Sequence, residues 1–235
     1  MKTKSLTAVV MAFAMSLAFT GCDLKSSAPY YSSTEEVTID KIIEKSQPVN
    51  MLEYKGGFKQ TISYSGFGDE NLDNAEIYLC YKKTSDLIEV NQAAVYPDDY
   101  FTYVYMSNDR NDPFVYSRTS MGGTKDDFSD EDLNSLLNDT VLGYVTYKAD
   151  LVEVNTEEDK YVATINISLD GEEVGTDYVT IDPATGYVLY VKSSDSSSGQ
   201  EVSINSEFTY TSDITIDTTP KTEYSEPVQM EAETE

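Results

Sequence analysis

Alternation of apolar and polar residues from residue 51 onward is the sequence feature that most restricts the fold. It is clearest in residues 161–169, where every second residue is apolar. Because successive side chains of a β-strand point to opposite faces, this pattern predicts strands with one buried and one solvated face. Turn sequences such as Asp170-Gly171 and residues 182–186 separate the apolar segments. About eight to eleven strands are therefore expected to pair as an antiparallel sheet.

Two segments break this period and predict helices. Residues 33–46 offer a capping hydroxyl, early acids, late lysines and apolar residues at helical spacing, and the helix is expected to end before Pro48. Residues 128–138 place Ser129 and Asp132 at the spacing of a capping box. The apolar stripe of this second helix consists of Leu133, Leu136 and Leu137. The predicted fold class is mainly β (α+β): a curved antiparallel sheet or half-open β-barrel, with an N-terminal and a mid-chain helix packed on its concave side.

The N-terminal segment has the features of a lipoprotein signal peptide. Two lysines precede an uncharged run from residue 5 to residue 20, which is shorter than the roughly 20 apolar residues that a membrane-spanning helix needs. Two small residues stand directly before Cys22, and this resembles the lipobox of bacterial lipoproteins, in which the cysteine receives a diacylglycerol and becomes the new N-terminus. We therefore predict an extracytoplasmic chain anchored to a membrane through Cys22. Ordinary secretory cleavage and an uncleaved anchor are the alternatives.

The formal charge of the chain excludes one class of partner. The whole sequence carries a charge of −26, and removal of residues 1–21 takes away two lysines and no acid, which changes it to −28. Such a surface repels phosphodiester backbones and anionic lipid headgroups, so nucleic-acid binding is not expected. Membrane attachment then depends on the acyl chains, and diacylglycerol supplies the two chains that stable anchoring requires.

The residue types also restrict the chemistry. Histidine is absent from the sequence, and Cys80 is the only cysteine after Cys22. Ser-His and Cys-His catalysis and most zinc sites are thereby excluded, and Cys80 is expected to be a buried thiol in a strand. Residues 69–74 begin like a calcium loop, but Asn74 stands where glycine is required. We predict no metal, cofactor or catalytic residue. A carboxylate-dependent hydrolase stays open because a catalytic pair of acids is defined by its separation in space.

Several of these features together resemble one protein family. The predicted acylated Cys22, the two helices, the hairpin of residues 179–190 and a closing strand around Phe208 are similar to the lipoprotein-carrier (LolA-like) superfamily. The resemblance covers residues 35–217 and implies a half-barrel that holds a lipid. The chain is accordingly divided into a signal peptide (1–21), a flexible tether (22–33), a carrier-like domain (34–217) and a disordered acidic tail (218–235).

Aromatic residues are abundant, with 19 tyrosines and 8 phenylalanines. In a curved sheet they could line a groove for a lipid or another apolar ligand, or they could fill the core. The residues predicted to line the groove are Ile77, Leu79, Phe101, Tyr103, Tyr105, Leu133, Leu136, Leu137, Ile165 and Ile167. The predicted function is a non-catalytic lipoprotein that binds an apolar ligand. The alternative is an envelope lipoprotein that contacts a protein or a cell-wall polymer and has no small-molecule pocket.

The Cys22→Ala substitution tests the predicted anchor. We expect it to move the protein from the membrane fraction to the soluble fraction, because the sulfur that accepts the diacylglycerol is lost. Fractionation of the expressing cells followed by immunoblotting measures the distribution. Unchanged recovery with membranes would contradict the prediction.

Overall fold

The computed structural model describes residues 28–142, 147–195 and 202–224, so the predicted signal peptide and Cys22 lie outside the described residues. Eleven strands form one sheet. They are β1 (Gly57–Ser65), β2 (Glu76–Thr84), β3 (Leu87–Val95), β4 (Phe101–Ser107), β5 (Phe114–Thr119), β6 (Gly122–Asp127), β7 (Lys148–Glu157), β8 (Lys160–Leu169), β9 (Glu172–Ile181), β10 (Val188–Asp195) and β11 (Val202–Tyr210). The helices are α1 (Ile39–Lys45), α2 (Pro48–Lys55), α3 (Glu70–Asp73), α4 (Asp130–Asn138) and α5 (Thr219–Thr222), and a 3-10 turn (Thr34–Glu36) precedes them.

Two antiparallel meanders make up the sheet. Its strand order is β6-β5-β4-β3-β2-β1-β11-β10-β9-β8-β7, so every neighbour is consecutive in sequence except the central pair β1 and β11. The sheet is not closed, because β6 and β7 are its two edges. The prediction of a mainly β fold with an open, curved antiparallel sheet and helices is confirmed. In the part of the chain that the structure describes, no helix is long and apolar enough to cross a membrane.

The register divides the sheet into two faces. Phe58 of β1 pairs with Tyr81 of β2 on one side and with Tyr210 of β11 on the other, so these three rings share a face. We call it the inner face, because the core that it forms also contains buried residues of α1, α2 and α4. The outer face is the opposite surface of the sheet and carries the alternate residues, among them Cys80 and Tyr105.

The N-terminal region contains more helix than predicted. The expected single helix is a 3-10 turn followed by α1, and a second helix, α2, begins at Pro48. Proline is tolerated in the first turn of a helix, where its missing N–H has no intrahelical partner. Helix α1 therefore ends before Pro48, as predicted, and Pro48 is the first residue of α2. Helix α2 ends at Gly56, whose φ of 75° lies in the left-handed region that glycine adopts easily.

The mid-chain helix is α4, and its predicted capping box is present. The Ser129 hydroxyl accepts a hydrogen bond from the Asp132 N–H at 3.2 Å, and the Ser129 N–H donates to the Asp132 carboxylate at 2.9 Å. Both bonds satisfy N–H groups that a helix start leaves without partners. Leu133 and Leu137 are buried in the core, and Leu136 is partly buried against it.

The fold begins earlier than predicted, inside the expected tether. The backbone N–H groups of Tyr30 and Tyr31 donate to the carbonyl oxygens of Ala184 and Pro183, each at 3.0 Å. The Tyr31 side chain is only 1% exposed and belongs to the core. The last residues of the predicted tether therefore dock on the turn between β9 and β10.

The fold also extends past the predicted boundary at residue 217. Residues 211–224, which we call the strap, cross the outer face, and α5 within them contacts β4 and β5. The Lys221 ammonium lies 2.6 Å from the Asp112 carboxylate, and the Tyr224 ring packs against Tyr116. Residues 225–235 of the predicted acidic tail lie outside the described residues.

Two tyrosine-to-phenylalanine substitutions test this packing. Among the described residues, the buried Tyr31 hydroxyl has no hydrogen-bond partner, so Tyr31→Phe should raise the free energy of unfolding by about 1 kcal/mol. Tyr210→Phe is the matched control: the Tyr210 hydroxyl donates to the Val188 carbonyl at 2.7 Å, and its loss should lower that free energy by about 1 kcal/mol. Urea unfolding of the chain without its signal peptide measures both. Equal destabilisation by the two variants would show that the Tyr31 hydroxyl is satisfied.

Candidate ligand-binding cavity

The structure separates the ten predicted groove residues into two groups. Leu79 pairs with Gln92, which pairs with Val104, and all three lie on the inner face. The neighbours of Val104 along β4, Tyr103 and Tyr105, therefore point to the outer face, as does Phe101 two residues before Tyr103. The other seven lie on the inner side, either on the inner face of the sheet or on α4: Ile77, Leu79, Leu133, Leu136, Leu137, Ile165 and Ile167.

Most of the space beside α4 is occupied by the core. Ile165, Leu133 and Leu137 are buried and belong to the same cluster of packed side chains. Their apolar surface is covered by other residues of the chain. Ile167 is the one predicted groove residue that also borders an open apolar cavity.

This cavity lies on the inner face, at the end of the sheet where β8 ends and β9 begins. Its volume is about 340 Å³. The apolar side chains around it are Phe67, Tyr147, Ile167, Leu169, Val174, Val202 and Ile204. The polar residues around it are Asp177, Ser193 and Ser194, and Gly175 completes the lining.

Small residues at cross-strand positions create the hollow. Ile167 of β8 pairs with Gly175 of β9, and Ile204 of β11 pairs with Ser193 of β10. Where the helices cover the sheet, the equivalent inner positions carry larger side chains such as Val179. Because directly paired side chains fill the space above a sheet together, a glycine and a serine in these rows leave volume that bulky residues would fill.

The cavity has a floor and an open rim. Ile167, Asp177 and Val202 are buried and form the floor. Tyr147 and Leu169 are each 42% exposed and stand at the rim, beside the turn that joins β8 to β9. No residue of the described helices is among those that line the cavity.

The cavity suits an apolar chain with a polar group that is not anionic. Its single carboxylate, Asp177, is buried, and the Ser194 hydroxyl donates to the Thr176 carbonyl at 3.2 Å. No lysine or arginine is among the described residues that line it. An anionic headgroup placed here would meet no cation among the described lining residues.

The alternation of apolar and polar residues in the sequence indicates some of the residues that line this cavity. Leu169 follows Ile167 on the same face of β8, and Val202 and Ile204 share the inner face with Phe208. Extension of the inner-face pattern to the strand ends would therefore have added these residues. Phe67 and Tyr147 lie outside the strands, and no periodic pattern reaches them.

A second cavity, of about 420 Å³, lies on the outer face beneath the strap. Cys80 and Asn91 are on the sheet side, and Ile214 and Asp217 are on the strap side. The Asp217 N–H donates to the Asn91 side-chain oxygen at 3.3 Å, and the Lys82 ammonium donates to the Ile214 carbonyl at 3.0 Å. These bonds hold the strap over Cys80.

The surroundings of Cys80 and of Asp69, the first residue of the calcium-like segment 69–74, are structural. Burial raises the pKa of the Cys80 thiol, although the nearby Lys59 charge lowers it in part. The Asp69 carboxylate accepts hydrogen bonds from the N–H groups of Asn71 and Leu72 and so caps α3. The residues that the structure describes contain no group of three or more side chains placed to hold a metal ion.

Comparisons with known proteins give matches among solved structures alone. No protein-family model and no curated protein matches the chain. The Mycobacterium tuberculosis lipoprotein LppX is 9% identical, with a TM-score of 0.42 over 76% of this chain and 98% of that one. A chain of the Pseudomonas aeruginosa MucA/MucB complex is 14% identical (TM-score 0.36, 70% and 58% covered). A LolA superfamily protein from Nitrosomonas europaea is 10% identical (TM-score 0.28, 80% and 98% covered).

Thiol reactivity tests how firmly the strap covers Cys80. In a Cys22→Ser background, Cys80 should react with a maleimide far more slowly in the folded chain than in urea, because the thiol is buried and its pKa is raised. Ile214→Ser, which removes the buried strap residue beside Cys80, should accelerate the reaction about tenfold or more. Leu87→Ser, at an exposed residue of β3, is the control and should leave the rate unchanged. Equal rates in all three folded proteins would show that the strap does not protect Cys80.

Proposed function

We propose that this protein is an extracytoplasmic lipoprotein, anchored through Cys22, that holds a single acyl chain or a similar small apolar ligand in the inner-face cavity and does not alter it chemically. The observation that carries the proposal is the cavity itself: an open, mostly apolar hollow with a buried floor on the inner face. Ligand sites have this character, with apolar walls and few polar groups.

The size of the cavity favours one chain. Its volume of about 340 Å³ is near the lower end of the range for small-molecule sites, roughly 300–1,000 Å³. Burial of about eight methylene groups would contribute roughly 6 kcal/mol at about 0.8 kcal/mol each, before the entropic cost of binding. This gain alone corresponds to a dissociation constant of tens of micromolar, and the entropic cost makes the expected net affinity weaker still, which suits a ligand that is exchanged rather than stored.

The polar lining supports binding without catalysis. A hydrolytic site of the two-carboxylate type needs a second acid about 5–10 Å from the first. Asp177 is the one acidic residue among the described residues that line the cavity. Ser193 places a hydroxyl on the inner face beside the cavity, but the chain has no histidine to act as its general base.

The short distance between the predicted anchor and the fold supports a membrane-attached role. Tyr30, which donates a hydrogen bond to the turn between β9 and β10, follows Cys22 by only eight residues. A diacylglycerol on Cys22 would therefore hold the domain at the membrane surface, and the formal charge of −28 that follows removal of the two lysines in residues 1–21 would keep it from docking on anionic headgroups by itself.

A second candidate function is the contact of the outer face with an envelope protein or a cell-wall polymer. Half-buried aromatic rings, including Phe101 and Tyr103 with centroids 5.2 Å apart, lie on this face beside the strap. Native mass spectrometry of the gently purified protein distinguishes the two candidates. A co-purified amphiphile of one chain supports the cavity, and a ligand-free protein that captures a wall polymer or an envelope protein supports the outer face.

Substitution inside the cavity tests the proposed ligand site directly. Ile204→Phe adds volume at a half-buried lining position, so it should weaken binding of a fluorescent monoacylglycerol about tenfold or more. Leu87→Phe makes the same addition at an exposed site on the outer face and should leave the affinity unchanged. Titrations of the chain without its signal peptide measure both dissociation constants. Absence of saturable binding by the unsubstituted protein would reject the proposal.

A further inference from the structure

We infer that the cavity opens away from the membrane that anchors the chain, and that its ligand is exchanged as a water-borne amphiphile at the rim formed by Tyr147, Leu169 and Val174. The inference rests on the proposed function, because it takes Cys22 as the anchor and the cavity as the ligand site. It adds the direction of exchange, which neither of those assignments contains.

The point where the chain joins the fold is firmly held. Tyr30 and Tyr31 donate backbone hydrogen bonds to the turn between β9 and β10, and the Lys45 ammonium lies 4.4 Å from the centre of the Tyr30 ring. Gly186 of this turn has a φ of 78°, and a Cβ there would collide with the Tyr30 ring. The turn is therefore shaped to accept Tyr30, and the tether starts from a fixed place on the surface.

This place lies at the end of the sheet opposite the cavity. Strand β9 runs from Glu172 to Ile181, its first half borders the cavity, and the Tyr30-binding turn follows its last residue. Eight residues separate Gly175 at the cavity from Pro183 in the turn. At about 3.3 Å per residue this corresponds to roughly 26 Å along the strand.

The tether is too short to bring the rim to the membrane easily. The eight residues from Cys22 to Tyr30 span at most about 26–29 Å when fully extended. An unconstrained chain of that length has a root-mean-square span of only about 14–17 Å. The rim reaches the bilayer only if the tether runs at full extension along the whole sheet, which costs most of its conformational freedom. The end that carries the turn therefore faces the membrane.

The rim itself fits a ligand that arrives through water. Tyr147 and Leu169 are exposed, so apolar contacts are available before the ligand reaches the buried floor. The described residues of the lining include no cation that could hold the anionic headgroups of a bilayer surface. The expected ligand is a single-chain amphiphile with a neutral or cationic polar group.

Tryptophan fluorescence provides the test, because the chain contains no tryptophan of its own. Two variants of the lipidated protein are reconstituted into vesicles that contain brominated phosphatidylcholine, which quenches nearby indole rings. Ala184→Trp reports from the exposed side of the Tyr30-binding turn, and Tyr147→Trp reports from the rim. We expect strong quenching of Ala184→Trp and fluorescence of Tyr147→Trp close to that in vesicles without bromine. Quenching of Tyr147→Trp equal to or greater than that of Ala184→Trp would overturn the inference.

Two controls separate this outcome from failure of the proposed function. Flotation of the vesicles reports anchoring: protein that does not float, or a Cys22→Ala variant that floats equally well, would overturn the anchor and the inference with it. Loading with a fluorescent monoacylglycerol added in water reports exchange. Vesicle-bound and Cys22→Ala proteins should load at rates that agree within about twofold, since the rim is in water in both. Loading of the vesicle-bound protein slowed tenfold or more would place the rim at the bilayer and overturn the inference, although binding at equilibrium would still support the proposed function.

Discussion

The pairing of β1 with β11 is the interaction on which the rest of the structure depends. It is the only contact in the described sheet between strands far apart in sequence, and it joins the meander β1–β6 to the meander β7–β11. The backbones approach closely at its end: a Cβ on Gly57 would lie 2.7 Å from the Thr211 carbonyl oxygen. Stacking of Phe58 on Tyr81, with centroids 4.6 Å apart, and the nearby Tyr210 ring seal this junction on the inner face. A pairing of such high sequence separation carries a large loop-closure cost, and this apolar ring cluster offsets it.

Although the β1–β11 pairing joins the two meanders, β6 and β7 are the edge strands of the sheet. Both edge strands carry features that discourage pairing with other chains. Strand β7 has a register shift between Leu151 and Glu153, and the ion pair of Lys148 with Asp150 (2.6 Å) lies near its start. Strand β6 is short and contains Lys125 among acidic residues. Bulges, charges and short length are the usual protections of an edge strand. An open sheet can therefore persist in solution, and an inner face that is not enclosed by a barrel can border a cavity.

Different segments of the chain cover the two faces of the sheet. Helices α1, α2 and α4 bury the inner face near the Tyr30-binding turn, whereas Gly175 and Ser193 leave it hollow at the opposite end. The strap covers the outer face through a few polar contacts and one short helix. The fold thus places the docking site of Tyr30 and the cavity at opposite ends of the same strands. This arrangement gives the proposed ligand exchange a direction.

Local patterns in the sequence determined the element types. Alternation in residues 161–169 predicted β8, and the spacing of Ser129 and Asp132 predicted the start of α4, because both depend on neighbours in the chain. The tertiary structure alone decided which face each strand residue shares with distant strands. Tyr103 and Ile165 are both apolar positions of alternating segments, yet the register places them on opposite faces. The cavity likewise depends on which small residues meet across strands, and the docking of Tyr30, Tyr31 and the strap depends on surfaces that exist only after the sheet has formed. A period-two pattern specifies that neighbouring residues of a strand point to opposite faces. Which face each residue shares with distant strands is decided by the register of their pairing.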